Sequence, residues 1–162
     1  MAKDIGKWFE GKLRSALVQL QADHGLFFHR IKDSHSAGRI VGNAPADFLV
    51  AIASQAQLWE AKASEIHPSL RSCLSSMVDN DQVGWHKLWN MNGCASYFIF
   101  YSDLIDMVEV WKGQDVCKAR VEGVPLEKNG YLFTTTLGQL NPRLLELFKL
   151  RRHYDKGTLD TC

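Results

Sequence analysis

Pro45-Ala46-Asp47-Phe48-Leu49-Val50 and, after a short break, Leu58-Trp59-Glu60-Ala61-Lys62-Ala63-Ser64 read as the two strands of a hairpin, and this pairing decides the fold. Strand side chains alternate faces, so Leu58, Glu60 and Lys62 share one side of the second strand while Trp59, Ala61 and Ala63 take the other. Phe48-Leu49-Val50-Ala51-Ile52 is apolar on both faces, as in a central strand covered from both sides, so an Asp at its head calls for a reason. Placed on the neighbouring strand, Asp47 can join Glu60 and Lys62 at one point.

Two carboxylates with phosphate oxygens and waters make the all-oxygen shell that Mg²⁺ prefers. Such an ion offsets charge developing on a phosphate under attack and lowers the pKa of bound water, and Lys62 would orient or deprotonate that water. Without a cation the two carboxylates would repel each other. The grouping therefore suits metal-assisted phosphodiester hydrolysis. The plainer alternative for Glu60 and Lys62 is a solvent-facing ion pair on an edge strand, worth at most about 1 kcal/mol, and the apolar strand context argues against it.

The rest of the chain sets bounds on this site. Its 162 residues suit one domain, expected over 1–150 with a polar tail over 151–162. A hydrophobic fraction of 46% and a charged fraction of 23% are ordinary for a globular protein, and no apolar run approaches the roughly 20 residues of a membrane span. The opening MAKDIGKWFEGKLRSAL lacks the apolar core of a secretory signal, so a cytoplasmic protein is expected. Cys73, Cys94, Cys117 and Cys162 fit neither CxxC nor a zinc spacing and read as reduced thiols. The net charge of +1 conceals an acidic middle, with seven Lys/Arg against eleven Asp/Glu in 41–142, between basic ends. Nucleic acid gripped by the ends is one reading and ordinary solvated faces the other.

Ile5, Trp8, Phe9, Leu13, Ala16, Leu17 and Leu20 recur at helical spacing and predict a helix over about 3–23. Glu10 lies about 100° from the centre of that stripe, on its flank, where it can reach a site at the core's edge or remain a plain surface Glu. A strand is predicted at Leu26–Ile31, a loop at Asp33–Gly42 and an irregular segment over 65–79 carrying Arg71. Asp79 to Gln82 opens a helix that closes at Asn92-Gly93, with Gln82, Trp85, Leu88 and Trp89 along one face. Strands follow at Tyr97–Tyr101, Met107–Trp111 and Tyr131–Phe133, then a helix over about 142–150. The order is that of an α/β sandwich, and neither GxGxxG nor GxxxxGK[ST] is present.

An acid in the first helix, Asp47 on one strand, Trp59-Glu60-Ala61-Lys62 on the next, a Gln82-headed helix and Gly93 before an aromatic strand resemble the PD-(D/E)xK nuclease superfamily. Within it the chain is most similar to RecU-type Holliday junction resolvases, in a small phage or accessory version, over about Glu10 to Tyr101. It departs from them in having no extended basic N-terminal arm and in the segment between Glu65 and Gln82. The resemblance implies a restriction-endonuclease-like αβββαβ core, with a mixed central sheet flanked by helices. It implies Asp47, Glu60 and the Ala61 carbonyl as ligands of Mg²⁺, with Mn²⁺ substituting, and Glu10 as a direct or water-mediated ligand. Lys62 would handle the attacking water, and Gln82 would support the site or touch DNA. The activity implied is paired cleavage of four-way DNA junctions by a homodimer, because a junction has two-fold symmetry and needs two sites.

Other readings stand beside these. Asp79 and Gln82 are spaced as a capping box, a role compatible with a place in the site. His29, His35, His67 and His86 form no zinc or triad spacing and read as structural or exposed. Trp85, Trp89 and Trp111 read as core, while Trp8 or Trp59 could lie under a DNA surface. The cluster Lys149, Arg151, Arg152, His153 and Lys156 would bind phosphates or simply keep the chain soluble. The rival functions are a restriction-type nuclease or exonuclease of the same superfamily, and a nuclease-derived module that binds DNA without cutting it.

Overall fold

The computed structural model describes residues 4–31, 45–127 and 131–148. The elements begin with α1 (Ile5–His24), β1 (Phe27–Arg30), β2 (Phe48–Ile52) and β3 (Gln55–Ser64). A 3₁₀ turn (Leu70–Ser72), α2 (Leu74–Met77) and α3 (Asn80–Met91) lead to β4 (Ala95–Ser102). The chain continues through β5 (Met107–Lys112), α4 (Gly113–Glu122), β6 (Tyr131–Thr135) and α5 (Leu140–Leu144). The loop expected at Asp33–Gly42, the tail 151–162 and its basic cluster with Lys149 lie outside the described residues.

One mixed sheet runs β1-β2-β3-β4-β5-β6, antiparallel at every pairing except the parallel β3/β4. A parallel neighbour requires a crossover, which α2 and α3 supply on one face of the sheet. The class is α/β, and the αβββαβ order expected from the resemblance is present. No helix among the described residues is long and apolar enough to cross a membrane.

The β3 alternation divides the core in two. Trp59 and Ala63 face the same way as Tyr97, Ile99, Tyr101, Val108 and Val110, and α1 covers them with Phe9, Leu13, Ala16, Leu17 and Leu20. These helical positions form one stripe, the pattern that buries a helix against a sheet. Asp4 caps α1 by accepting from Lys7 N (3.1 Å), and Gly25 ends it in the left-handed region (φ 66°). On the opposite face Phe98, Phe100 and Trp111 pack with Val83 of α3 and Val116, Cys117 and Ala119 of α4. Glu60 and Lys62 emerge on this second face.

Three differences from the sequence expectations matter for the site. The helix α4 is not among the elements expected from sequence: it follows β5 directly, starts without a side-chain cap, and carries a short apolar stripe. Its first residue is glycine because a Cβ there would lie 1.9 Å from Ser96 Oγ. Secondly, α3 buries Val83 and His86, leaving Trp85 (44%) and Leu88 (52%) exposed, so the apolar face read from sequence is a rim of a groove. Of the tryptophans expected in the core, Trp111 is buried and Trp89 half-buried, and Trp59 is also fully buried, away from any surface. Among the described residues Cys73, Cys94 and Cys117 are free thiols.

Candidate active site

The hairpin aligns the two acids. In the β2/β3 register Phe48 lies opposite Trp59, which sets Asp47, one residue before the strand, across from Glu60. The Asp47 backbone is itself held by β1, its carbonyl accepting from Ile31 N at 2.8 Å. Its side chain crosses to β3, where Oδ2 accepts from the Ala61 amide at 2.7 Å. N–H and C=O of one strand residue point to the same side, so the Ala61 carbonyl also faces Asp47, away from β4.

Glu60 Oε1 receives two donors: Lys62 Nζ at 2.9 Å and Gln82 Nε2 from the first turn of α3. Side-chain exposure is 5% for Glu60 and 17% for Lys62, and β3 lies inside the sheet, which disposes of a solvent-facing pair on an edge strand. Burial, and next the Asp47 charge, push the Glu60 carboxyl up to about 8, while Lys62 pulls it down. This site holds two carboxylates that cannot comfortably be charged together without another cation.

Gln82 sits in the capping box of α3 and also bonds Glu60. Its backbone N–H donates to Asp79 Oδ1 at 2.8 Å and its side-chain Oε1 accepts from Asp79 N at 3.3 Å, which closes the capping box, while its Nε2 donates to Glu60. One turn on, His86 is fully buried, stacked on Phe98 with ring centroids 4.3 Å apart. Burial, then the Lys62 charge, hold its imidazole down to about 3, so it is neutral beside the lysine. His86, expected from sequence to be structural or exposed, is structural, and it lies behind the site. The available signal was its spacing of four from Gln82.

Glu10 is not brought into this group. Its carboxylate bonds Arg30, which lies opposite Phe48 and hence on the α1 side of the sheet. Glu60 and Lys62 project from the other side. Among the described residues no three His, Cys, Asp or Glu side chains form a metal-holding group. The irregular segment expected over 65–79 is firmly built: Glu109 Oε2 accepts from Ser69 Oγ (2.9 Å), Leu70 N (3.2 Å) and Trp111 Nε1 (2.9 Å). Ser64 and Ser102 hydroxyls fix the backbone at Ile66 and His67, and Arg71 is exposed on the 3₁₀ turn.

No family model and no curated protein matches the chain. Among solved structures it is similar to the 1.6 Å structure of Hjc from Archaeoglobus fulgidus, a Holliday junction resolvase from an archaeal hyperthermophile. That likeness has 14% identity and a TM-score of 0.45, and covers 65% of this chain and 77% of that one.

Proposed function

We propose that the chain is a metal-dependent endonuclease that cuts branched DNA, Holliday junctions included, as a homodimer. The observation that carries this is geometric: Glu60, buried and bonded by Lys62 and Gln82, lies across the hairpin from Asp47, and the upward push that burial and Asp47 give its carboxyl is consistent with it. A pair of acids in that condition favours an added divalent cation, and the donor set fits Mg²⁺: the Asp47 and Glu60 oxygens and the Ala61 carbonyl. When bound, the ion lowers the pKa of water and offsets charge on the attacked phosphate.

The protein's own groups do the rest. Lys62 carries its ammonium beside Glu60 and orients the attacking water. Gln82 keeps the Glu60 carboxylate in one rotamer, and the Ala61 amide does the same for Asp47. Glu10, held by Arg30, is left in an outer role. Homodimerisation follows from the two-fold symmetry of a four-way junction, which presents two equivalent strands to be cut.

The test is incubation of the protein with a labelled four-way junction and a linear duplex of matching sequence, in Mg²⁺ and in EDTA. Metal-dependent symmetric cuts in the junction are expected. Asp47→Asn, Glu60→Gln and Lys62→Ala should each lower the rate by about 10²–10³-fold, the range for losing one preorganised charge-stabilising group. Equal cutting of both substrates moves the assignment to a general nuclease, and binding without cutting moves it to a DNA-binding module. Undiminished cutting by all three variants sinks the site.

A further inference from the structure

A groove of about 470 Å³ opens beside the acids, between α3 and the β2/β3 hairpin, and its lining includes Pro45, Leu49, Leu58, Trp85, Leu88 and Trp89. Its place follows from the register. Leu49 and Leu58 face each other across β2 and β3, each two residues from Asp47 and Glu60 and on the same face of the sheet. Two residues of strand advance roughly 7 Å, a step comparable to one nucleotide of an extended strand. The helix runs alongside: Gln82 bonds Glu60, and Trp89 Nε1 donates to the carbonyl of Ala95 at 3.0 Å, level with Gln57. Trp85, between them along α3, therefore stands over the leucine pair and is 44% exposed as a residue.

We propose that this groove holds an unpaired nucleobase of the DNA strand being cut, one nucleotide from the phosphate at Asp47 and Glu60. The inference rests on the nuclease reading above and adds how branched DNA is chosen. Pockets of roughly 300–1,000 Å³ with apolar and aromatic walls are of ligand-binding size, and every base has a π-face that an indole can stack. The lining is almost wholly apolar, and Asn92 Nδ2 is spent on the Leu88 carbonyl at 2.9 Å. The groove thus selects a base that is unstacked, as at a branch point, without selecting which base. A second copy of the chain and the chain's own residues 32–44, whose neighbours Ile31 and Pro45 line the groove, are the other occupants to consider, and for either one neither the abasic site nor 2-aminopurine would report a base in the groove. The exposed rim of Trp85 and Leu88 falls far short of the roughly 20–30 residues a side of a stable interface.

The test uses the full chain as wild type, Trp85→Ala and Trp85→Phe, each checked for an unchanged thermal melt. The substrate is a four-way junction carrying 2-aminopurine, or an abasic site, at the nucleotide flanking the mapped cut. Binding is measured in Ca²⁺ and cutting in Mg²⁺. Trp85→Ala should weaken binding of the intact junction by roughly 5- to 150-fold, the range for removing an aromatic partner from one base. Trp85→Phe should stay near wild type, and the abasic junction should bind wild type and Trp85→Ala alike. The 2-aminopurine emission should change on binding to wild type but not to Trp85→Ala. If cutting persists while neither Trp85→Ala nor the abasic site alters binding, the base site is overturned and the nuclease stands. If Trp85→Ala instead turns a dimer into a monomer in sedimentation, with no abasic effect, the groove belongs to a second copy and the proposal fails. A wild type that neither binds nor cuts any DNA removes the nuclease and the base site together.

Discussion

Glu60 makes a prediction that needs no substrate. Its carboxyl is raised from 4.5 to about 8 in the fold, so between those values the folded protein holds a proton that the unfolded chain has released. The stability tied to that proton is full below pH 4.5 and is lost as pH rises through 8. His86 acts in the opposite sense: lowered from 6.5 to about 3, it contributes stability above pH 6.5 that is lost as pH falls towards 3. Between 4.5 and 6.5 the two oppose each other, and from 6.5 to 8 Glu60 acts without that opposition. In EDTA, urea midpoints of the wild type should therefore fall from pH 6.5 to 8, and Glu60→Gln should remove most of that fall. An equal slope in both proteins would show that Glu60 ionises normally. At this scale the sequence was most legible where geometry is local: the two-residue period of β3 places Glu60 and Lys62 together before any tertiary contact is known. Glu10 was not legible in that way, because its angle on α1 says nothing about which side of the sheet α1 covers.

The hairpin and α3 hold the site, and each can be tested as an element. β2 and β3 are joined at Ala53 and Ser54, both in the left-handed region (φ 48° and 67°), as a two-residue turn with positive φ at both central positions requires. Neither residue favours it, at about 1–2 kcal/mol each for an ordinary L-residue. Ala53→Asn with Ser54→Gly should raise the urea unfolding free energy by about 1–2 kcal/mol, and a loss would mean the turn is not strained. For α3, Asp79→Ala removes the cap, and with it a distant negative charge that raises the Glu60 carboxyl, and should cost about 1 kcal/mol. Gln82→Ala loses the cap partner and the Glu60 bond together, and should cost about 1 kcal/mol more. Equal losses would reduce Gln82 to a cap. The capping box was readable from its three-residue spacing. The helix α4 was not, because it starts on an uncapped Gly113 whose reason for being glycine is a close approach to Ser96 from another strand.

The whole molecule is a sheet with a core on each face, one sealed by α1 and the other by α3 and α4, with the acids at the β2/β3 edge of the second. A cation bound there would be linked to folding through both carboxylates. At 100 times its Kd a ligand adds about 2.7 kcal/mol to stability, or about 5–10 °C in melting temperature for a domain of this size. Mg²⁺ or Mn²⁺ should give such a rise in the wild type, greater at pH 8.5 than at pH 6 because Glu60 must release its proton. Asp47→Asn should abolish the rise, and an unchanged shift in that variant would place the cation elsewhere. By itself the sequence determined the α/β class, the hairpin with Asp47, Glu60 and Lys62 on one face, and the capped start of the helix at Gln82. These depend on periods of two and 3.6 residues, and on a helix start, all of which are written within a few positions of the chain. Only the tertiary structure decided which face each helix covers, and with it the separation of Glu10 from the acids, the burial of His86 and the opening of the Trp85 groove. Those follow from a crossover and from packing between residues distant in sequence, where no local pattern states which surfaces will meet.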